Sequence, residues 1–124
     1  MLINLSNHPS TLWCDKQTQA AKQFGKCVDL PFPKILSDGD EVYIADLVEE
    51  YYQKIMELLS DTDIKNITVH LMGEMTFTYA LVKRLTIDGI RCIASTTERN
   101  VVEYGNGQKE SQFQFVRFRE YSNS

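Results

Sequence analysis

Short apolar runs and amphipathic helical stretches take turns along this chain, and that alternation limits its folds more than any other feature. Leu2 to Leu5 reads as a first strand, stopped by the turn and cap residues Ser6-Asn7-His8-Pro9-Ser10. Ser10 reads as the N-cap of a helix carrying Leu12, Trp13, Ala20, Ala21 and Phe24, with Gly25 at its C′ position. Cys27 to Leu30 is a second strand, closed by Pro31-Phe32-Pro33 because proline has no N–H for a ladder. Ile44, Leu47, Val48, Tyr51, Ile55, Leu58 and Leu59 have the spacing of an amphipathic helix. Asp40 and Glu41 open it, where the helix dipole favours negative charge.

Asp61-Thr62-Asp63 follows as a polar loop, and Asn66 to Met72 is a strand with the β-branched Ile67, Thr68 and Val69. Gly73-Glu74-Met75-Thr76 is the next turn. The helix after it sets Phe77, Ala80, Leu81 and Leu85 on one face and stops at Gly89. Ile90 to Ala94 is a fourth strand, ending at Ser95-Thr96-Thr97-Glu98-Arg99. Val101 to Tyr104, Gly105-Asn106-Gly107 and Phe113 to Phe118 predict a β-hairpin at about residues 100–121. Three strand-helix units imply parallel strands with right-handed crossovers, in the order 2-1-3-4. The expected fold is α/β: one Rossmann-like domain over residues 1–124, mainly parallel, with helices on both faces and a C-terminal hairpin.

The 124 residues are one domain's worth, enough to bury a core without staples. A net charge of −4 disfavours long nucleic acid or an anionic membrane as partner, so an anionic ligand needs local donors. Cys14, Cys27 and Cys92 are odd in number and lack CxxC spacing, which argues against a disulfide framework or zinc and for small buried thiols. No metal-ligand spacing occurs and no cofactor motif is present, Gly73 belonging to neither a GxGxxG nor a Walker loop. No signal peptide or membrane-length apolar run is visible, so the expected location is the cytoplasm.

Ligands of open α/β sheets bind beyond the carboxyl ends of the strands, at the switch in strand order. Three polar segments occupy that rim: Ser6 to Ser10, Gly73 to Thr78 and Ser95 to Arg99. Helix N-termini there offer free N–H groups to phosphate. Gly73 allows close backbone approach, while Ser6, Asn7, Ser10, Thr76, Thr78, Ser95, Thr96 and Thr97 supply donors, and Arg99 a guanidinium clamp. Ser10 and Thr76 also read as plain helix caps, and Arg99 as a solvated loop residue. His8 and Glu74 are candidate general acids or bases, brought near each other if the first and third strands are neighbours. His70 reads as a satisfied, buried strand histidine. Arg117 and Arg119 share a face with Phe113 and Phe115 if no bulge intervenes, a mix suited to a partner subunit, to stacking on bases, or to a protected edge.

The stretch from Met72 to Tyr121 resembles the small CRISPR-associated Rossmann-like (CARF-related) proteins of type III loci. The residues that carry this are Gly73-Glu74-Met75-Thr76-Phe77-Thr78-Tyr79, Ala94-Ser95-Thr96-Thr97-Glu98-Arg99 and Phe113-Gln114-Phe115-Val116-Arg117-Phe118-Arg119-Glu120-Tyr121. Leu5-Ser6-Asn7-His8 is similar to the Ser-His that ends the first strand in that group, with Asn7 interposed; Gln114 stands where some relatives carry histidine. The resemblance implies a ring nuclease of antiviral defence that binds cyclic oligoadenylate, foremost the tetra-adenylate, and cleaves it without metal. It implies a homodimer sharing the ring across its two-fold axis. It places Ser6, His8, Gly73, Thr76, Thr96, Thr97 and Arg99 on the ligand, with Arg117 on a hairpin that completes the site. A non-catalytic sensor or sponge, or a protein-interaction module docking through the hairpin, are the alternatives.

Overall fold

The central strands carry apolar residues on both faces, as strands covered on both sides must. In the computed structural model, which describes residues 1–59 and 63–122, they are β1 (Leu2–Ser6), β2 (Cys27–Asp29), β3 (Thr68–Met72), β4 (Arg91–Glu103) and β5 (Lys109–Glu120). The sheet order is β2-β1-β3-β4-β5. The first four strands run parallel and β5 pairs antiparallel with β4. The structure is therefore α/β with a mixed, mostly parallel sheet, and the 2-1-3-4 order read from the sequence holds.

Side-chain alternation divides the core in two. Ile3, Leu5, Val69, Leu71 and Cys92 point to one face, where α2 (Glu41–Leu58) and α3 (Met75–Ile87) cover them with Val48, Tyr51, Ile55, Phe77, Leu81 and Leu85. Leu2, Ile93, Phe115 and Phe118 point to the other, which holds only α1 (Asp15–Ala21) and its flanks, through Trp13, Ala20, Ala21 and Phe24. Helices thus lie on both faces, but unequally. Seven residues of α1 cannot roof a five-stranded sheet, and the uncovered part of that face becomes a cleft.

Local chemistry sets the element ends. Asp40, expected only as a negative charge at the start of α2, caps it by accepting from the Tyr43 N–H. Gly25 and Gly89 take φ of 90° and 81° after their helices, the left-handed turn glycine favours. Asp61 and Thr62 of the expected loop lie outside the described residues; Asp63 caps a short 3-10 turn at Ile64–Asn66. Leu58, expected on the buried face of α2, is 38% exposed, and Leu59 takes the inner place.

Other expectations are corrected. Ser10 does not cap a helix: it lies in a 3-10 turn, and α1 starts later, after Cys14. Cys14 is exposed rather than buried. Glu74 is the N-cap of α3, so Thr76 and Thr78 are helical rather than turn residues. The run Ser95 to Arg99 is no loop, because β4 continues through it to Glu103. Finally, the β4–β5 register shifts between Thr96 and Thr97, which pair with Arg117 and Phe115 and leave Val116 as a bulge. The bulge turns Phe113, Phe115 and Phe118 to one face and Arg117 and Arg119 to the other, so the expected shared face does not form.

Gly73 owes its identity to packing. A Cβ there would lie 2.1 Å from the Phe32 ring, which packs edge-on against buried Phe77 at 5.3 Å. Gly73→Ala is expected to cost about 1–3 kcal/mol, the range for overpacking. Urea unfolding measures it, and an unchanged midpoint would mean that Phe32 swings clear.

Candidate functional site

Asn4 lies in the middle of β1, where a strand buried on both faces normally carries an apolar residue. It is 2% exposed, so each polar atom needs a partner. Its Nδ2 donates to Asp29 Oδ1 at 2.8 Å and to the His8 carbonyl at 2.9 Å. Its Oδ1 accepts from the Ser6 hydroxyl at 2.9 Å and faces His70 Nδ1 at 2.9 Å. Both amide hydrogens being used, Oδ1 can only accept, and His70 Nδ1 must carry a hydrogen. His70 Nε2 is then a lone-pair acceptor, and Ser95 Oγ stands 3.2 Å from it.

The register produces this row. Asn4 pairs with His70, and His70 with Ile93, two residues before Ser95 on the same face. The imidazole is set edge-on to Trp13 at 5.5 Å and to Phe118 at 5.4 Å. Burial pushes its pKa down to about 4, so it is neutral at pH 7. At the far end, burial pushes the Asp29 carboxyl up, but bonds from the Asn4 side chain and from the Ser10 N–H and hydroxyl outweigh it and lower its pKa.

One end of the row, His70 and Ser95, borders a cleft of about 670 Å³ at the carboxyl ends of β1 and β3, where the strand order reverses. Ser6, His70, Ser95 and Thr97 line its base, and Asn7 and His8 one rim. Trp13, Cys14, Phe113 and Phe115 complete the lining. Phe113 is 70% exposed, a large ring presented to solvent on the β4–β5 arm.

The candidates from the sequence divide accordingly. The cleft brings together Ser6, Asn7, His8, Gly73, Ser95 and Thr97. Ser10 is engaged with Asp29 beside it. Glu74 is not in its lining. The Thr76 hydroxyl and the Thr76 and Phe77 N–H groups donate to its carboxylate and hold its pKa low, so it caps α3 as an anion. Thr76 is thereby occupied too. Thr78 belongs to a separate groove along α3 with Met75, Tyr79 and Tyr121, its Oγ1 buried without a partner. Thr96 Oγ1 donates to the Arg117 carbonyl, Arg117 Nε to the Phe118 carbonyl, and Arg99 to Ser111 Oγ out on the arm. None of these three lines the cleft.

Sequence reasoning passed over Asn4, Asp29 and Trp13, and read His70 only as a buried strand residue. The signal was there: Asn4, Ser6, Thr68 and His70 alternate polar side chains along two central strands, where apolar ones are usual. Among the described residues no group of three or more His, Cys, Asp or Glu is placed to hold a metal, and no helix is long and apolar enough to cross a membrane.

His70 binds its proton more weakly folded than unfolded. Its contribution to stability is therefore complete above the unfolded pKa near 6.5 and is lost as pH falls toward 4. About 2 kcal/mol should disappear between pH 7.5 and 5. Denaturant unfolding at the two pH values measures it, with His70→Asn as reference; equal slopes in both proteins would remove His70 as the cause.

The sequence profile of the uncharacterized protein MJ1673 family matches residues 1–119, and the chain belongs to that family. No curated protein and no solved structure matches it.

Proposed function

We propose that this MJ1673-family chain is a ring nuclease that binds cyclic oligoadenylate, foremost the tetra-adenylate, in the cleft over β1, β3 and β4. The observation that carries the reading is the pairing of aromatic walls with a hydroxyl floor in one cleft. Trp13 and Phe113, with an edge of buried Phe115, offer aromatic surface to adenine rings, since every base has a face that can stack. Thr97 offers a hydroxyl hydrogen to phosphate, those of Ser6 and Ser95 being spent on Asn4 and His70. The net charge of −4 supplies no broad basic field, so the anion has to be held by such local donors. The cleft suits part of a tetranucleotide ring, and a homodimer would supply the rest from a second copy.

The cleavage fits as an internal transfer, in which a ribose 2′-hydroxyl attacks the adjacent phosphate. Such a step depends on alignment and on stabilised phosphate charge more than on a strong external nucleophile. The resemblance to CRISPR-associated ring nucleases, with its role in ending a type III antiviral signal, supplies the ligand class; the cleft supplies a place for it.

Incubation with cyclic tetra-adenylate in EDTA, followed by chromatography, is expected to give linear adenylates ending in a 2′,3′-cyclic phosphate. No product from excess protein within an hour overturns cleavage, and intact ring recovered from a tight complex selects a sensor. Phe113→Ala should weaken binding by about 1–3 kcal/mol, the worth of one stacked base. The ring being exposed, this variant should keep the wild-type melting temperature. Unchanged affinity by titration calorimetry removes Phe113 from the site.

A further inference from the structure

We propose that Ser95 and His70 form a proton relay opening into the cleft, with Ser95 touching the substrate's reacting ribose and His70 acting through it, anchored by Asn4 and Asp29. The proposal rests on the ring-cleaving reading above.

The geometry has three parts. First, the tautomer is fixed: Asn4 spends both amide hydrogens on Asp29 and the His8 carbonyl, so Nδ1 of His70 donates and Nε2 accepts. Second, the acceptor faces a hydroxyl at the cleft floor, since Ser95 Oγ is 3.2 Å from Nε2 and lines the cleft. That hydroxyl can also donate to Met72 Sδ at 3.0 Å, but a thioether is a weaker acceptor than a neutral imidazole nitrogen, so Nε2 competes for its hydrogen on better terms. Third, the imidazole is held from every side, by Asn4 on β1, Ser95 on β4, Trp13 before α1 and Phe118 on β5. A structural histidine needs only its buried nitrogens satisfied. This one has its free lone pair behind the hydroxyl that borders the cleft.

The step balances as follows. The ribose O2′ attacks phosphorus, the P–O2′ bond forms and the P–O5′ bond breaks. The 2′-hydroxyl proton passes to Ser95 Oγ as the Ser95 proton passes to His70 Nε2. Water protonates the departing O5′, and His70 returns its proton to solvent through Ser95. The products are a 2′,3′-cyclic phosphate and a 5′-hydroxyl. Burial keeps His70 neutral, with Nε2 unprotonated, but weakens it as a base, and the negative charge of a bound phosphate offsets that cost.

The test compares Ser95→Ala, Ser95→Thr, His70→Asn and the double variant Ser95→Ala/His70→Asn on cyclic tetra-adenylate. His70→Asn keeps a donor toward Asn4 and deletes the Nε2 acceptor. Ser95→Ala and His70→Asn should each lower kcat by roughly 100-fold or more, the usual worth of acid–base help, with ring affinity held within about threefold. Ser95→Thr should restore turnover, and the double variant should be no slower than the slower single one, because the two residues act as a unit. Wild-type turnover in His70→Asn, or multiplying losses in the double variant, overturns the relay and leaves ring cleavage standing. Wild-type protein that neither binds nor cleaves the ring overturns the cleft reading instead. Nitrogen NMR of wild-type His70 at pH 7 tests the tautomer independently of any variant's folding. An unprotonated Nε2 is expected, and a protonated one overturns the relay.

Discussion

The buried amide of Asn4 is the constraint around which this sheet is arranged. It joins β2, through Asp29, to β3, through His70, across the strand that lies between them. An amide in that position is costly unless every atom is paired, and pairing it requires Asp29, Ser6, the His8 carbonyl and His70 at once. The register of the three strands, the path of the chain after β1 and the orientation of the imidazole are therefore one solution. A one-residue slip of β3 would put Val69 or Leu71 opposite the amide and leave it unsatisfied. The polar row thus supplies specificity of pairing that the apolar residues around it do not.

The cleft follows from an imbalance. Two long helices cover one face of the sheet, and one short helix covers part of the other. What remains open is lined by His70 and Ser95 at one end of the polar row and by Phe113 and Phe115 on the arm of β4 and β5. The least covered part of the sheet is therefore also its most polar and most aromatic part.

Much of the fold was legible in the sequence because it rests on local rules. The spacing of Val48, Tyr51 and Ile55, the Asp40 cap and the glycines after two helices all act within a few residues. The strand order followed from short connections and crossover handedness. The site was legible only in outline: Ser6, His8, Gly73, Ser95 and Thr97 do gather at the strand ends. What was missed depends on partners far apart in the chain. Glu74 looks like a free carboxylate until Thr76 and Phe77 are seen to use it. Arg99 looks like a rim residue until β4 carries it out along the arm. His70 looks inert until β1 and β4 place Asn4 and Ser95 on its two nitrogens.

The bulge at Val116 decides which side chains the arm turns toward the cleft. In an unbroken strand, residues 113, 115, 117 and 119 would all face the same way, and two arginines would join two phenylalanines on the cleft side. The extra residue shifts the count, so Phe118 reaches back to His70 while Arg117 and Arg119 turn to the opposite surface. A single inserted backbone unit thereby gives this wall aromatic planes in place of guanidinium charge.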